Sequence, residues 1–405
     1  MCGFYFDRGG MMMKIWEDIK RLESEIISIR RDLHRIPELG MQERKTTQYI
    51  KDALEGYDVE IHDIGLETGL CVLIRGANPG PTIALRADID ALPIEEASGL
   101  PFASEHPGVS HACGHDIHAT MALSAARYLS KHRDELNGNL WVFFQPAEET
   151  LWGSKKMIEA GCLELEPKPE SILMMHTYPP LKSGRFGVIK GPSNASCDNM
   201  RITVRSSGGH GAYPHRCGDT LYAAGTLLTQ LQASVSRDNN CMMPAVLTFG
   251  SIHGGSASNV IPAEVVMEGT LRTLYPESRK IIKDSMVRIC ENICAALRTE
   301  CTVEFLQPDV ACLQNSPEIT ERAEAAIRKL FGEEAIYQIP LPNPGSEDFA
   351  NYLEYIPGAT VRLGTQNPED PQTKLGQHAA AVRFDEGGIC RGVAFLCQYV
   401  ADYLK

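Results

Sequence analysis

The sequence predicts an α/β protein in which a doubly wound sheet is interrupted by a smaller inserted domain. Over the first half of the chain, strand-like apolar runs alternate with helical segments, an order typical of a mainly parallel sheet. Near Gly191 the rhythm changes to a compact, strand-rich order, and the first pattern returns towards the C-terminal end. The length of 405 residues fits this division, because domains usually hold about 100 to 200 residues.

The first domain begins with a helix. Apolar residues recur at helical spacing from Ile15 to Arg35, and charged residues lie between them, which predicts an amphipathic helix. Further helices are predicted over 46–54, 115–132 and 154–160. Strands are predicted over 58–64, 69–75, 82–87, 140–144 and 171–175.

The inserted segment has its own order of elements. Its predicted elements are strand 200–205, helix 220–236, strands 245–252 and 264–273, helix 279–297 and strand 302–306. This βαββαβ order is that of a ferredoxin-like domain. The first domain then resumes with helices over 317–331, 347–355 and 388–404 and a strand over 359–363. We therefore expect one domain over 13–190 and 309–405 and an inserted domain over 191–308, and we expect residues 1–12 to be disordered.

Composition and charge exclude several classes of protein. Hydrophobic residues make up 43% and charged residues 22%, as in an ordinary globular protein, and the net charge is −13. This acidity argues against nucleic acid as a partner and gives no attraction to anionic membrane surfaces. No apolar run reaches membrane-spanning length, and the thirteen cysteines lack paired spacing. We expect a cytoplasmic protein with reduced thiols.

The stretch from His111 to His118 gathers a thiol, three imidazoles and a carboxylate within a few residues. Cysteine thiolate and histidine nitrogen are preferred ligands of zinc-like ions, so Cys113 and His115 are candidate metal ligands. The alternative interpretation is a buried cysteine beside solvated histidines.

Acids and a histidine follow three of the predicted strands. Asp88 follows the strand over 82–87, Glu148 and Glu149 follow the strand over 140–144, and His176 follows the strand over 171–175. Ligands bind at the carboxyl edge of doubly wound sheets, so these residues are candidates for one site. One glutamate could bind metal while the other moves protons. Taken separately, a solvated acidic loop and a hydrogen-bonded core histidine are the alternatives.

Four further residues carry weaker signals. His378 lies in a predicted loop, where it would mean little by itself. His210 lies in a glycine-flanked segment that could be a simple turn. Asn259 and Arg272 offer an amide and a guanidinium that suit a substrate carboxylate, although an isolated arginine is usually a surface charge.

Six motifs occur together and in order: Arg86 to Pro93, His111 to His118, Gln145 to Glu149, Gly208 to His215, Asn259 to Pro262, and Gly345 to Phe349. On these motifs the chain resembles the dinuclear metal amidohydrolase and carboxypeptidase family, which includes hippurate hydrolase, N-acetyl-diaminopimelate deacetylase and plant indole-acetyl-amino-acid hydrolases. The resemblance covers nearly the whole chain after Met13. It implies a zinc-peptidase-like catalytic domain and makes the insertion a lid and dimerisation domain.

The resemblance implies a role for each candidate. It implies that two divalent metal ions are held by Cys113, His115, Glu149, His176 and His378. Cys113 would bridge the ions, and His111, Asp116 and His118 would be supporting residues. Glu148 would be the general base, and Asp88 would orient a ligand histidine. His210 of a partner subunit would reach the reacting carbonyl, while Asn259 and Arg272 would bind the substrate carboxylate.

The implied reaction is hydrolysis of the amide bond of N-acyl amino acids by a metal-bound hydroxide. Zinc fits the ligands best, with manganese, cobalt or nickel as substitutes. A carboxypeptidase or dipeptidase on the same scaffold is the near alternative, and a non-catalytic metal-binding protein is the alternative from another class. The partners expected are a small N-acyl amino acid or short peptide and a second copy of the chain, in a homodimer or higher homo-oligomer. Ala379-Ala380-Ala381 departs from the family pattern after His378 and bears on substrate preference.

Overall fold

The computed structural model describes residues 10–405, with side chains from Lys14 onwards. The chain divides into two compact units. The first runs to Gly191 and includes Gln314–Pro340 and Asn351–Lys405, and the second consists of Pro192–Leu313 and Leu341–Ala350. The boundaries expected at 191 and 309 stay predictions. The expected disorder of residues 1–12 falls mainly outside the described residues.

The described residues form strands at the following positions: β1 (Glu60–His62), β2 (Leu70–Arg75), β3 (Asn78–Asp88), β4 (Asn137–Gln145), β5 (Ser171–Lys182), β6 (Phe186–Val188), β7 (Gly191–Asn194), β8 (Cys197–Arg205), β9 (Gly209–His210), β10 (Ala245–His253), β11 (Val260–Ile261), β12 (Glu264–Thr273), β13 (Glu300–Val310), β14 (Leu313–Asn315), β15 (Ile336–Gln338) and β16 (Gly358–Gln366).

The α-helices of the described residues are α1 (Gly10–Arg21), α2 (Glu23–Arg35), α3 (Arg44–Ala53), α4 (His115–Lys131), α5 (Gly153–Glu159), α6 (Thr220–Gln230), α7 (Pro276–Ala296), α8 (Pro317–Phe331) and α9 (Ile389–Tyr403).

An eight-stranded mixed sheet forms the centre of the first unit, in the order β1-β2-β4-β3-β5-β16-β6-β15. Strands β4, β3, β5 and β16 are parallel neighbours. Their interiors are almost wholly buried, as expected for parallel strands covered on both faces. Because parallel strands end at the same edge, the segments that follow β3 and β4 come together there. The predicted α/β fold class is confirmed.

The second unit contains an antiparallel sheet in the order β10-β12-β8-β13, with α6 and α7 packed against it. The strands of this sheet and the two helices follow one another as β8, α6, β10, β12, α7 and β13, which is the predicted βαββαβ order. A separate core lies between helices and sheet, with Ile202, Leu227, Met267 and Met286 fully buried or nearly so.

Several predicted elements were wrong in their limits. The helix expected over 15–35 is two helices, because the chain turns at Leu22, whose N–H bonds to the carbonyl oxygen of Ile19 at 3.0 Å. The strand expected over 58–64 is only β1. The helix expected over 220–236 ends at Gln230 and is followed by a π-helical turn, and the helix expected over 347–355 is a 3₁₀ helix over Asp348–Glu354.

Within the described residues, no helix combines the length and the apolar character that a membrane crossing requires.

Candidate metal centre

The carboxyl edge of the parallel strands positions the candidate site. Asp88 is the last residue of β3 and pairs in register with Gln145, the last residue of β4. The sequence predicted that the strand before His176 ends at residue 175. This prediction was wrong, because β5 continues to Lys182. However, β5 is paired with β3 only as far as Met174, so His176 lies just beyond the paired region and at the same edge.

His115 is the first residue of α4, and Gly114 before it turns the chain with a left-handed φ of +88°. The Nδ1 atom of His115 lies 3.2 Å from Asp90 Oδ1. Its Nε2 atom is buried, and no hydrogen bond among the described residues reaches it. Nε2 lies 3.7 Å from Glu149 Oε1 and 3.9 Å from Glu148 Oε2. A neutral imidazole that donates its Nδ1–H to Asp90 presents the Nε2 lone pair to these two carboxylates, which is the arrangement of a metal-binding histidine.

Cys113 and His176 form a second group of potential ligands. The Sγ atom of Cys113 lies 3.9 Å from His176 Nε2, while His176 Nδ1 bonds the carbonyl oxygen of Thr177 at 2.8 Å. Burial, together with the charge of Glu149, raises the pKa of the Cys113 thiol to about 12. Burial and the nearby His118 hold the pKa of His176 well below its usual range. A thiolate at this position therefore requires a nearby cation.

His378 reaches the same carboxylate from the C-terminal part of the chain. Its φ is +69°, and its backbone N–H donates to Ala112 O at 2.9 Å. Its Nε2 atom lies 3.4 Å from Glu149 Oε1. The contact with Glu149 raises the pKa of His378, and the pKa of Glu149 is lowered, against the effect of burial, by His378 and His115. The unusual Ala379-Ala380-Ala381 sequence therefore leaves His378 directed at Glu149.

The hydrogen bond of Asp88 goes to His118, which is not a predicted ligand. Its Oδ1 lies 2.5 Å from His118 Nδ1 and 3.9 Å from His115 Nδ1. The Nε2 atom of His118 accepts a hydrogen bond from the Thr177 N–H at 2.8 Å, so both ring nitrogens of His118 are used. Burial opposes the charge of Asp88, but His115, His118 and Arg86 hold its pKa well below the usual range. The role of Asp88 in orienting a ligand stays a prediction.

Asp90, which was not among the predicted site residues, also contributes to the site. One carboxylate oxygen of Asp90 contacts His115 Nδ1, and the other accepts the Glu149 N–H at 3.0 Å. Asp90 thus orients two candidate ligands at once. The Asp88-Ile89-Asp90 spacing could have predicted this role, because alternate residues of an extended chain point to the same side.

The donor set fits metal ions. Ligand atoms of Cys113, Glu149 and His378 lie within 4.8 Å of one another, as do those of His115, Glu148 and Glu149. Glu149 belongs to both groups, so two adjacent ions can share this region. Thiolate, imidazole and carboxylate together suit divalent transition metals.

The other three candidates lie in the second unit. His210 is exposed and pairs with Val260 in the short β9–β11 ladder. The neighbouring Gly211 N–H donates to Asn259 O at 2.8 Å, so His210 and Asn259 lie close together. Arg272, on β12, donates a hydrogen bond to Ser346 Oγ.

Comparison with known proteins agrees with this chemistry. Residues 84–402 match the family described as Peptidase family M20/M25/M40. The N-acetyl-L-cysteine deacetylase of Bacillus subtilis is 40% identical over 382 residues, which are 94% of this chain and 88% of that protein. Thermostable carboxypeptidase 2 of Saccharolobus solfataricus is 37% identical, over 88% of this chain and 90% of that protein.

A solved structure from Bacillus subtilis, described as a dinuclear metal-binding peptidase of the M20 family, superposes with a TM-score of 0.82. It is 35% identical, and the match covers 95% of this chain and 99% of that chain. The family match spans well over half of the residues, and the fold and the metal-binding residue types agree with it. The chain therefore belongs to peptidase family M20/M25/M40 and is a metal-binding amide hydrolase.

Proposed function

We propose that the protein hydrolyses the amide bond of N-acyl amino acids. The observation that carries this proposal is the convergence of Glu148, Glu149 and His115 at one buried sheet edge, with a candidate base directly beside candidate metal ligands. The name of the 40% identical relative, an N-acetyl-L-cysteine deacetylase, supports an acyl group as the part removed.

Two divalent metal ions would be held by Cys113, His115, Glu149, His176 and His378. When bound, the ions supply Lewis-acid chemistry that polarises the amide carbonyl and acidifies water. Zinc suits the thiolate and imidazole ligands, and manganese, cobalt or nickel suits the carboxylate as well. The short distances from Glu149 Oε1 to His115 and His378 support this ligand set.

Glu148 would be the general base of the reaction. Its side chain is buried, and Oε2 lies 3.9 Å from His115 Nε2, beside the candidate ligands. Glu148 accepts the proton of the attacking water and later delivers it to the departing amine. Asp88 holds His118 in place, and His118 in turn binds the backbone of Thr177 beside the ligand His176.

The second unit would bind the remainder of the substrate. Arg272 and Asn259 pair with the free carboxylate, and His210 of a partner subunit donates a hydrogen bond to the reacting carbonyl oxygen. The exposed apolar face of α6, with Leu221, Tyr222 and Leu228, supports a homodimer, as does the edge position of β10. Light scattering should give a dimer or larger assembly, and a monomer would count against His210 acting across subunits.

We further propose a cytoplasmic location. The cysteines of residues 10–405 are free, which suits a reducing compartment. Fractionation of cells that make the protein at native level would test this, and recovery in the secreted fraction would contradict it.

The test of function is a substrate panel on metal-analysed protein. Samples loaded separately with zinc, manganese, cobalt or nickel are assayed on N-acetyl and N-benzoyl amino acids and on dipeptides with the same C-terminal residue. We expect higher kcat/KM for the acyl amino acids. Preference for dipeptides would establish the carboxypeptidase or dipeptidase alternative. If protein that holds two metal ions hydrolyses none of these substrates, the non-catalytic metal-binding alternative would be established.

A further inference from the structure

The turn that carries Glu148 and Glu149 has a strained backbone. Ala147 has a φ of +54°, a left-handed conformation that residues with a Cβ atom rarely adopt. Such a conformation persists only where the surrounding structure holds it. Because Glu148 and Glu149 follow at once, the conformation of Ala147 determines where both side chains point.

Glu43 supplies a buried hydrogen bond to this turn. Its side chain is fully buried, and Oε1 accepts the Ala147 N–H at 2.8 Å. The carbonyl oxygen of Ala147 accepts the Gly153 N–H at 3.0 Å. Both backbone polar groups of Ala147 therefore have partners, and one partner is a side chain 104 positions away in the sequence.

The turn is also enclosed by close backbone contacts. A Cβ atom on Gly40 would lie 3.0 Å from both Cα and Cβ of Ala147. On Gly153 it would lie 1.7 Å from the carbonyl oxygen of Pro146, which leaves no room for any side chain. Glycine at these positions therefore lets the neighbouring chain pack directly against the turn.

The segment Glu38–Glu43, called the clamp segment here, also contacts the other loop of the site. The carbonyl oxygen of Glu38 accepts the Ala91 N–H at 2.8 Å, and Leu39 forms a parallel bridge with Ala91. Ala91 follows Asp90, whose carboxylate accepts the Glu149 N–H. The clamp segment therefore fixes the spacing between the loop of Asp90 and the turn of the two glutamates.

We propose that Glu43 is a positioning residue for amide hydrolysis, acting through Ala147 to hold Glu148 and Glu149 in place beside Asp90. The inference rests on the proposed roles of Glu148 as base and Glu149 as ligand. Burial, with the nearby Asp90 carboxylate, raises the pKa of Glu43 to about 7, so its neutral form is accessible near neutrality. Glutamine is a close mimic of that form, because it keeps a carbonyl oxygen to accept the Ala147 N–H.

Hydrogen exchange on the metal-free protein tests the anchoring directly. In Glu43→Ala we expect the peptide over 146–153 to exchange at least about tenfold faster than in the wild type, because the Ala147 N–H loses its partner. Glu43→Gln should restore slow exchange. Glu324→Ala is the matched control. Glu324 is also buried, but it accepts a hydrogen bond from Gln338 within the segment Gln314–Pro340 of the first unit. Wild-type exchange in Glu43→Ala would overturn the proposal.

Metal affinity and kinetics provide the second readout. We expect Glu43→Ala to bind zinc about 10 to 100-fold more weakly and to lose kcat more than KM, and Glu43→Gln to recover both. A wild-type protein that hydrolyses no amide would defeat the proposed function, yet exchange and zinc affinity would still decide the role of Glu43. If Glu43→Ala does not fold, Gly40→Ala decides, because its methyl group pushes on Ala147. Faster exchange with weaker zinc binding supports the proposal, and wild-type values overturn it.

Discussion

The Nε2 atom of His115 lies 3.7 Å from Oε1 of Glu149, and within the described residues neither atom receives a hydrogen bond. Two buried electron-pair donors at this separation are costly unless a positive charge compensates them. The Cys113 thiol and His378 approach the same carboxylate. The donors fall into two groups that share Glu149, so two divalent ions would compensate them.

Replacing Glu148 with glutamine should separate chemistry from metal binding. Glutamine keeps the size and the buried position of the side chain but cannot accept the proton of the attacking water. We expect full metal content and a kcat lower by about 10²- to 10⁴-fold, measured on the best acyl amino acid of the panel. Turnover at the native rate would remove Glu148 as the general base.

Replacing Cys113 with alanine should remove at least one metal equivalent, because the thiolate is a proposed ligand beside Glu149 and His378. The measurement is metal content after dialysis, by elemental analysis. Cys162→Ala is the matched control, since Cys162 is also a buried free thiol of the first unit. Equal metal content in the two variants would make Cys113 a structural residue.

Asp90→Asn should weaken metal binding although Asp90 is not a proposed ligand. The carboxylate accepts both the His115 Nδ1–H and the Glu149 N–H, and an asparagine can accept only one of them. We expect affinity for zinc to fall about 10 to 100-fold in a chelator competition assay. Asp32→Asn, whose carboxylate bonds Arg35 and Tyr49, should leave affinity unchanged. An unaltered affinity in Asp90→Asn would show that ligand orientation does not depend on this residue.

The buried Glu43 carboxyl should make stability depend on pH. Burial and the nearby Asp90 raise the pKa of Glu43 from its ordinary value of 4.5 to about 7, so the folded state holds the proton more tightly than the unfolded state. The stability contributed by this group is therefore complete below pH 4.5 and is lost as the pH rises to about 7. Urea unfolding of chelator-treated protein measures this effect. Between pH 4.5 and about 7, the free energy of unfolding of the wild type should fall by on the order of 3 kcal/mol relative to that of Glu43→Gln. Parallel pH profiles for the two proteins would contradict the shift.

Arg272→Ala should weaken binding of the substrate carboxylate. Loss of a charged hydrogen bond should raise KM about 10 to 100-fold for an N-acyl amino acid, with little change for the same compound as its C-terminal amide. Arg201→Ala is the control, because Arg201 lies on β8 of the same unit and pairs with Glu268 at the surface. An equal effect on both substrates would mean that Arg272 does not recognise the carboxylate.

The sequence by itself determined the elements that depend on local periodicity. Strand β12 and helix α8 have the predicted limits, since alternating and helical apolar patterns show directly which face is buried. The same patterns determined the α/β class and the βαββαβ order of the second unit. The motif resemblance indicated the family. It also indicated the candidate ligands Cys113, His115 and His378, which the structure brings close to Glu149.

Tertiary structure decided which side chains meet, because hydrogen bonds between distant segments depend on sheet register and loop conformation rather than on periodicity. Only the fold shows that Asp88 bonds His118 while Asp90 bonds His115, although both acids stand in one short motif. No local sequence pattern predicts the contact of Glu43 with Ala147. The two residues are far apart in the sequence, and only the folded chain brings Glu43 Oε1 to 2.8 Å from the Ala147 nitrogen.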